Sequence, residues 1–179
     1  FSLSFESPSF APQGVTLVSS QPVVAGGDAV DVLMPSVAGG GVWPSLPGGG
    51  DGVPVVYGVD LYGPFASQPV ESDSVPSDHV AGHTTVTVSG TAPVRVSLPV
   101  SAAGYYTFVV GVDRSAQSSD TQSYLPDPYV WQDKFGLVGE SFMASPPPPS
   151  QTFAPQGATS VSDQVVKPGG SAVDVLTPS

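Results

Sequence analysis

The stretch AAGYYTFVVGV, residues 102–112, decides how the rest of the chain is read. Tyr106 and Phe108 alternate behind Gly104, and the run continues through Val109, Val110 and Val112. Aromatic and β-branched residues at period two suit a pleated, half-buried surface, not a helical stripe. Similar segments stand on both sides. Residues 15–24 and 28–34 flank the turn Ala25-Gly26-Gly27, and residues 53–61 put Val53, Val55, Tyr57, Val59 and Leu61 on one face. Residues 83–89 and 92–98 lie either side of Gly90-Thr91, a spacing that predicts a two-residue hairpin connection. Residues 135–143 complete a set of about seven strands, and no segment carries a helical period. So many short strands between turns predict an all-β antiparallel sandwich in preference to a barrel.

Composition supports this. Valine occurs 30 times and isoleucine never, and Gly plus Pro make up 42 of 179 residues. That share, about 23%, stops just short of the roughly 25–30% of disordered chains and implies many turns. The net charge is −11, with Arg95, Arg114, Lys134 and Lys167 as the only cations. A nucleic-acid partner is thereby excluded, since phosphate binding needs cations to displace counterions. An anionic membrane surface would repel the chain, and no apolar run approaches the ~18 residues of a span. There is no Cys and no Asn. Disulfides, thiolate metal sites, N-glycosylation sequons and Lys–Asn isopeptide cross-links are therefore unavailable.

The ends of the chain repeat each other. Residues 10–36 and 153–179 agree at 19 of 27 positions without a gap, from Phe10/Phe153 to Ser36/Ser179. A fainter echo links FSLSFES (1–7) to FGLVGES (135–141), with Phe1/Phe135, Leu3/Leu137, Glu6/Glu140 and Ser7/Ser141 in register. Repetition at a fixed offset marks successive units of an array. The expected organisation is 1–9 as the end of a preceding unit, 10–143 as one complete unit, 144–152 as a stiff Pro-rich linker, and 153–179 as the start of the next.

The segments DLYGPF (60–65), VTVSG (86–90), AGYYTF (103–108) and FGLVGESF (135–142), in that order, resemble the tandem immunoglobulin-like modules of large actinobacterial cell-surface proteins. The likeness covers about residues 10–143. It implies an Ig-like sandwich displayed outside the cell and attached to the wall, with a spacer or adhesive role and no catalytic residues. Family members often carry Cys between LYGPF and the VTV strand; here ASQPVESDSVPSDHVAG has none, so a stapling disulfide is lost. Within such a fold, Gly104, Tyr106 and Phe108 match a tyrosine corner, in which Tyr106 would bond back to upstream backbone and Phe108 fill a core position. The plainer alternative is that both are ordinary alternating core residues.

Other residue groups offer weaker chemical signals. His79 and His83 are four apart, but on a strand that spacing exceeds the reach of one metal ion. GGGDGVP (48–54) lacks the Lys and helix of a phosphate cradle and reads as a turn. No GxSxG elbow is present, so no enzyme, metal or cofactor is expected. In the long loop 113–134, Asp113, Asp120, Asp127 and Asp133 fit no Ca²⁺-loop spacing. Tyr124, Tyr129 and Trp131 in that loop are the candidate ligand-binding residues, able to stack on a sugar or protein partner. The alternative, which the reading favours, is a satellite core that pins the loop. Some surface sandwiches join first and last strands by a Thr–Gln ester; here Thr16 sits on the first strand, but the last strand offers Glu140 and no Gln, which disfavours it. The expected function is a structural repeat of a cell-surface filament or stalk, touching neighbouring copies head to tail. An adhesin module for a glycan or host surface is the alternative, and a viral tail or decoration protein the third.

Overall fold

The computed structural model describes residues 9–19, 21–161 and 174–178. The chain divides into two compact units, Phe1–Pro147 and Pro148–Ser179, parting within the Pro-rich segment. In the first unit β1 (Pro12–Val18), β3 (Asp28–Val37) and β6 (Val94–Pro99) form an antiparallel sheet in the order β1-β3-β6. The second sheet runs β2-β9-β7-β4-β5. Its strands are β2 (Val23–Val24), β4 (Val55–Phe65), β5 (Val80–Val88), β7 (Gly104–Asp113) and β9 (Ser141–Ser145), with β8 (Val130–Gln132) also on β7. The expected all-β sandwich is what these residues form.

Period-two patterning builds the core between the sheets. On β4, Val55, Tyr57, Val59 and Leu61 are fully buried, and on β7 so are Tyr106, Phe108 and Val110. Ala29 and Leu33 from β3 and Val96 and Leu98 from β6 close over them. Each such aliphatic or aromatic side chain contributes roughly 1.5–3 kcal/mol by leaving water. On the outer face of the second sheet, Tyr62, Val109 and Phe135 form a smaller cluster against which Phe65 and Val75 pack.

The two sequence motifs at LYGPF and AGYYT turn out to be one packing feature. Their strands pair through Tyr62↔Thr107 and Phe65↔Tyr105, with a bulge between. Gly63 (φ +142°) leaves room there for the ring of Tyr106: a Cβ would stand 2.5 Å from Tyr106 Cδ1 and 2.7 Å from the Tyr105 carbonyl. Gly104 (φ +145°) likewise admits Pro64. Tyr106 Oη then donates to the Ala102 carbonyl at 2.9 Å, the hydrogen bond of a tyrosine corner. Phe108 lies in the core beside Phe142.

Four expectations need correction. Residues 83–89 and 92–98 do not form a hairpin: β5 pairs with β4, whereas β6 pairs with β3 in the other sheet. Pro93 has no N–H to extend a ladder, and the link 89–93 crosses between the sheets instead. The segment 15–24 is not one strand but β1 and β2, interrupted before Pro22 as the chain changes sheets. At 135–143, Phe135 makes an isolated bridge to Ser72 and a 3₁₀ turn (Val138–Glu140) precedes β9, which ends at Ser145. The short strands β2 and β8 raise the number above seven. The echo at 1–7 lies outside the described residues apart from its sequence.

In the second unit β10 (Gly157–Val161) pairs antiparallel with β11 (Asp174–Pro178). Tyr106→Phe is expected to lower stability by about 1 kcal/mol, the worth of one hydrogen bond. Gly63→Ala should cost more, on the order of 3 kcal/mol, because both backbone strain and a clash with Tyr106 oppose it. Urea denaturation of the two variants checks the order.

Candidate functional site

The most chemically loaded place in the molecule lies where β1 meets the segment before β9. β1 has a reversed pattern, with Val15 and Leu17 exposed and Thr16 only 2% exposed. Thr16 pairs with Leu33, so Asp31, two residues earlier on β3, projects from the same inward face as its diagonal neighbour. Asp31 is 1% exposed, between inward Ala29 and Leu33. From the other sheet comes Glu140, also 1% exposed, the last residue of the 3₁₀ turn.

The fourth member fills a gap in the sheet. Along the free edge of β7, β9 covers Gly104–Thr107 and β8 covers Gly111–Asp113. Between them Asp133 supplies what a strand would have supplied. Its Oδ1 accepts from Val110 N–H at 2.8 Å, and its own N–H donates to the Val110 carbonyl at 3.0 Å. Asp133 and Glu140 are thus held against the same edge.

Thr16 Oγ1 donates to Glu140 Oε1 in the closest contact of the site. Asp31 Oδ1 accepts from Val32 N–H at 3.1 Å. One oxygen on each carboxyl, Asp31 Oδ2, Asp133 Oδ2 and Glu140 Oε2, is buried without a partner. Among the described residues no cation reaches them: Lys134 turns outward to Glu71 at 2.9 Å, Arg114 lies 3.6 Å from Asp127, and Arg95 is exposed. A buried carboxylate without a cation is expensive, and a buried carboxyl retains its proton instead.

The ionisation equilibria follow. Desolvation, and then the charge of Glu140, push Asp31 up to about 7, while the hydrogen bond from Val32 N–H and the nearby Thr16 hydroxyl pull the other way. Burial likewise raises Asp133 and Glu140, and the closeness of the two carboxyls lets Asp133 ionise before Glu140. Glu140 is therefore a neutral acid hydrogen-bonded to a neutral alcohol. Among the described residues, no group of three His, Asp or Glu side chains is disposed to hold a metal ion.

The residues singled out in the sequence fall elsewhere. Tyr124 is buried and its carbonyl accepts from Phe10 N–H at 2.9 Å. Tyr129 Oη donates to the Pro12 carbonyl at 2.7 Å. Trp131 stands edge-on to Tyr57, ring centroids 6.4 Å apart. The three rings are thus built into the sandwich, where they fasten the 113–134 loop to β1 and the core. Asp113 caps Ser115 and Asp127 faces Arg114, so the loop carboxylates do not converge. His83 Nδ1 lies 2.6 Å from Asp60, and His79 beside Asp78 at 3.1 Å.

Thr16 and Glu140, weighed from sequence as a pair, are brought together. Asp31 and Asp133 were not linked to them. A carboxylate on the inward alternation of DAVDVL was the available signal; Asp133 gave none, because its position depends on how the loop returns. No helix among the described residues is long and apolar enough to cross a membrane. Comparison with family models, with curated proteins and with solved structures gave no match.

Folded Asp31, Asp133 and Glu140 keep protons that the unfolded chain releases near pH 4. The folded state therefore binds more protons, and stability should fall as pH rises from about 4 through about 8. Urea midpoints at pH 5 and pH 8 measure this. Asp31→Asn should reduce the difference, while the exposed Asp73→Asn should leave it unchanged.

Proposed function

We propose that this chain is a non-catalytic structural segment of an extracellular, cell-surface fibre or stalk, in which Ig-like sandwich units follow one another in tandem or complete one another by strand exchange. The observation that carries this reading is the register of the second unit. Gly157↔Pro178 through Val161↔Asp174 repeats, at a constant offset, the pairing Gly14↔Pro35 through Val18↔Asp31. Residues 157–161 and 174–178 thus copy residues 14–18 and 31–35 in pairing as well as in sequence.

Two paired strands bury too little apolar surface to be stable by themselves. The second unit needs further strands, from continuing chain or from a neighbouring copy. Either source adds units head to tail, an open-ended arrangement that generates filaments and not closed rings. The first unit has its own core, so an array of such units tolerates exposure without cofactors. Extracellular display rests on the resemblance carried by LYGPF and AGYYT. The alternative, an adhesin module, would have to bind through Tyr129 and Trp131, which are half-buried, since Tyr124 is enclosed in the core.

If the units are independent, a fragment ending at Pro147 should unfold cooperatively within about 2 °C of the full chain, since little stability crosses between neighbours in such arrays. Differential scanning calorimetry tests this, and electron microscopy of native material should show long, uniform threads. A fragment that fails to fold, or native material that is uniformly compact, overturns the proposal.

A further inference from the structure

Thr16 and Glu140 lie 124 residues apart and meet at the join between the two sheets. The contact differs from an ordinary buried hydrogen bond in three ways. The acceptor is a carboxyl with no cation near it, and its second oxygen has no partner. Two further carboxyls flank the pair: Asp31 beside the Thr16 hydroxyl, and Asp133 beside Glu140. Both partners are almost wholly shielded from water, which is the product of their condensation.

We propose that Thr16 and Glu140 condense to an intramolecular ester, a covalent cross-link between the first strand and the turn that leads into the last. Thr16 Oγ1 attacks Cδ of the neutral Glu140 carboxyl, and its proton passes to the Asp31 carboxylate. The new Cδ–Oγ1 bond forms as the Cδ–Oε2 bond breaks. Oε2 departs as hydroxide, takes that proton back from Asp31 and leaves as water. Asp31 thus returns to its starting state, and no other group gains or loses a proton. Alcohol plus acid give ester plus water, with no oxidant, reductant or activating group.

Condensation in water is ordinarily opposed by the solvent itself. Held in reacting contact, two groups reach effective molarities on the order of 10⁵–10⁸ M, far above the concentration of bulk water. The ester also removes one buried carboxyl and one buried hydroxyl from a site that leaves three carboxyl oxygens unpartnered. Its formation relieves the site that promotes it.

The repeated ends of the chain carry the same groups. Thr159 and Asp174 stand where Thr16 and Asp31 stand, in the same strand register. Around Thr159 the outward positions have changed, Val15 to Ala158 and Leu17 to Ser160, while the threonine is kept. Glu6 occupies the place of Glu140 in the FSLSFES echo. The threonine and aspartate thus recur in one end segment and the glutamate in the other, each at the position it holds in the complete unit.

Intact-mass spectrometry of the full chain tests the proposal. The purified protein, incubated near pH 7, where Asp31 is partly ionised and Glu140 still neutral, should be about 18 Da lighter than its sequence mass, the loss of one water. An Asp-Gly pair such as Asp51-Gly52 loses the same mass on cyclising, so the position matters. Fragmentation should therefore yield a branched peptide joining the Thr16 and Glu140 segments. Hydroxylamine should open it, freeing Thr16 and leaving a hydroxamate on Glu140. Thr16→Val should keep its full sequence mass. Wild-type protein at full mass after incubation, or a deficit that maps elsewhere or persists in Thr16→Val, overturns the proposal; the wild-type measurement decides even if the variant fails to fold.

Discussion

Everything in the first unit is arranged around the pairing of β4 with β7. These are the central strands of the larger sheet, and each presents an unbroken row of buried side chains to the opposite sheet. Their closest approach is made possible by two glycines on neighbouring strands. Gly63 gives way to the Tyr106 ring, and Gly104 gives way to Pro64. A chain with other residues at those two places could keep its hydrophobic pattern and still fail to bring the strands into register. The aromatic corner, the satellite cluster around Phe135 and the edge on which Asp133 sits all take their positions from this pair.

Elements with strict alternation were readable in the sequence. Residues 53–61 could lie only one way, since turning the strand over would bury Asp60 and expose Tyr57 and Leu61. The tyrosine corner was readable for a similar reason: Tyr106 and Phe108 share a face, and a hydroxyl on a buried ring needs a partner. What failed was connectivity. Gly90-Thr91 has the composition of a hairpin, but whether adjacent strands pair or part to separate sheets depends on which neighbours offer free edges. The buried acids were half readable. Asp31 breaks the inward pattern of its own strand, whereas Asp133 and Glu140 come from irregular segments with no period to violate.

The acidic site stands against the economy of the rest of the core. Valine, tyrosine and phenylalanine there need nothing but exclusion from water. Three carboxyls in the same interior add desolvation cost and leave oxygens unpaired. Aliphatic side chains of similar volume would pack there without that cost. Local rules are broken in folded proteins chiefly where something other than stability is at stake, and this is the most pronounced departure from apolar packing among the described residues.

The first and last segments of the unit travel in the same direction. Thr16 lies beside Glu140, and seven residues further on Val23 lies beside Ala144, with β2 parallel to β9. A load pulling the two ends of this unit apart would therefore slide these segments past each other lengthwise, in shear. Contacts spread along such a seam resist together, whereas a hairpin peeled from its end surrenders them one at a time. Pulling on the two ends of the unit therefore loads the β2–β9 seam lengthwise, not by peeling.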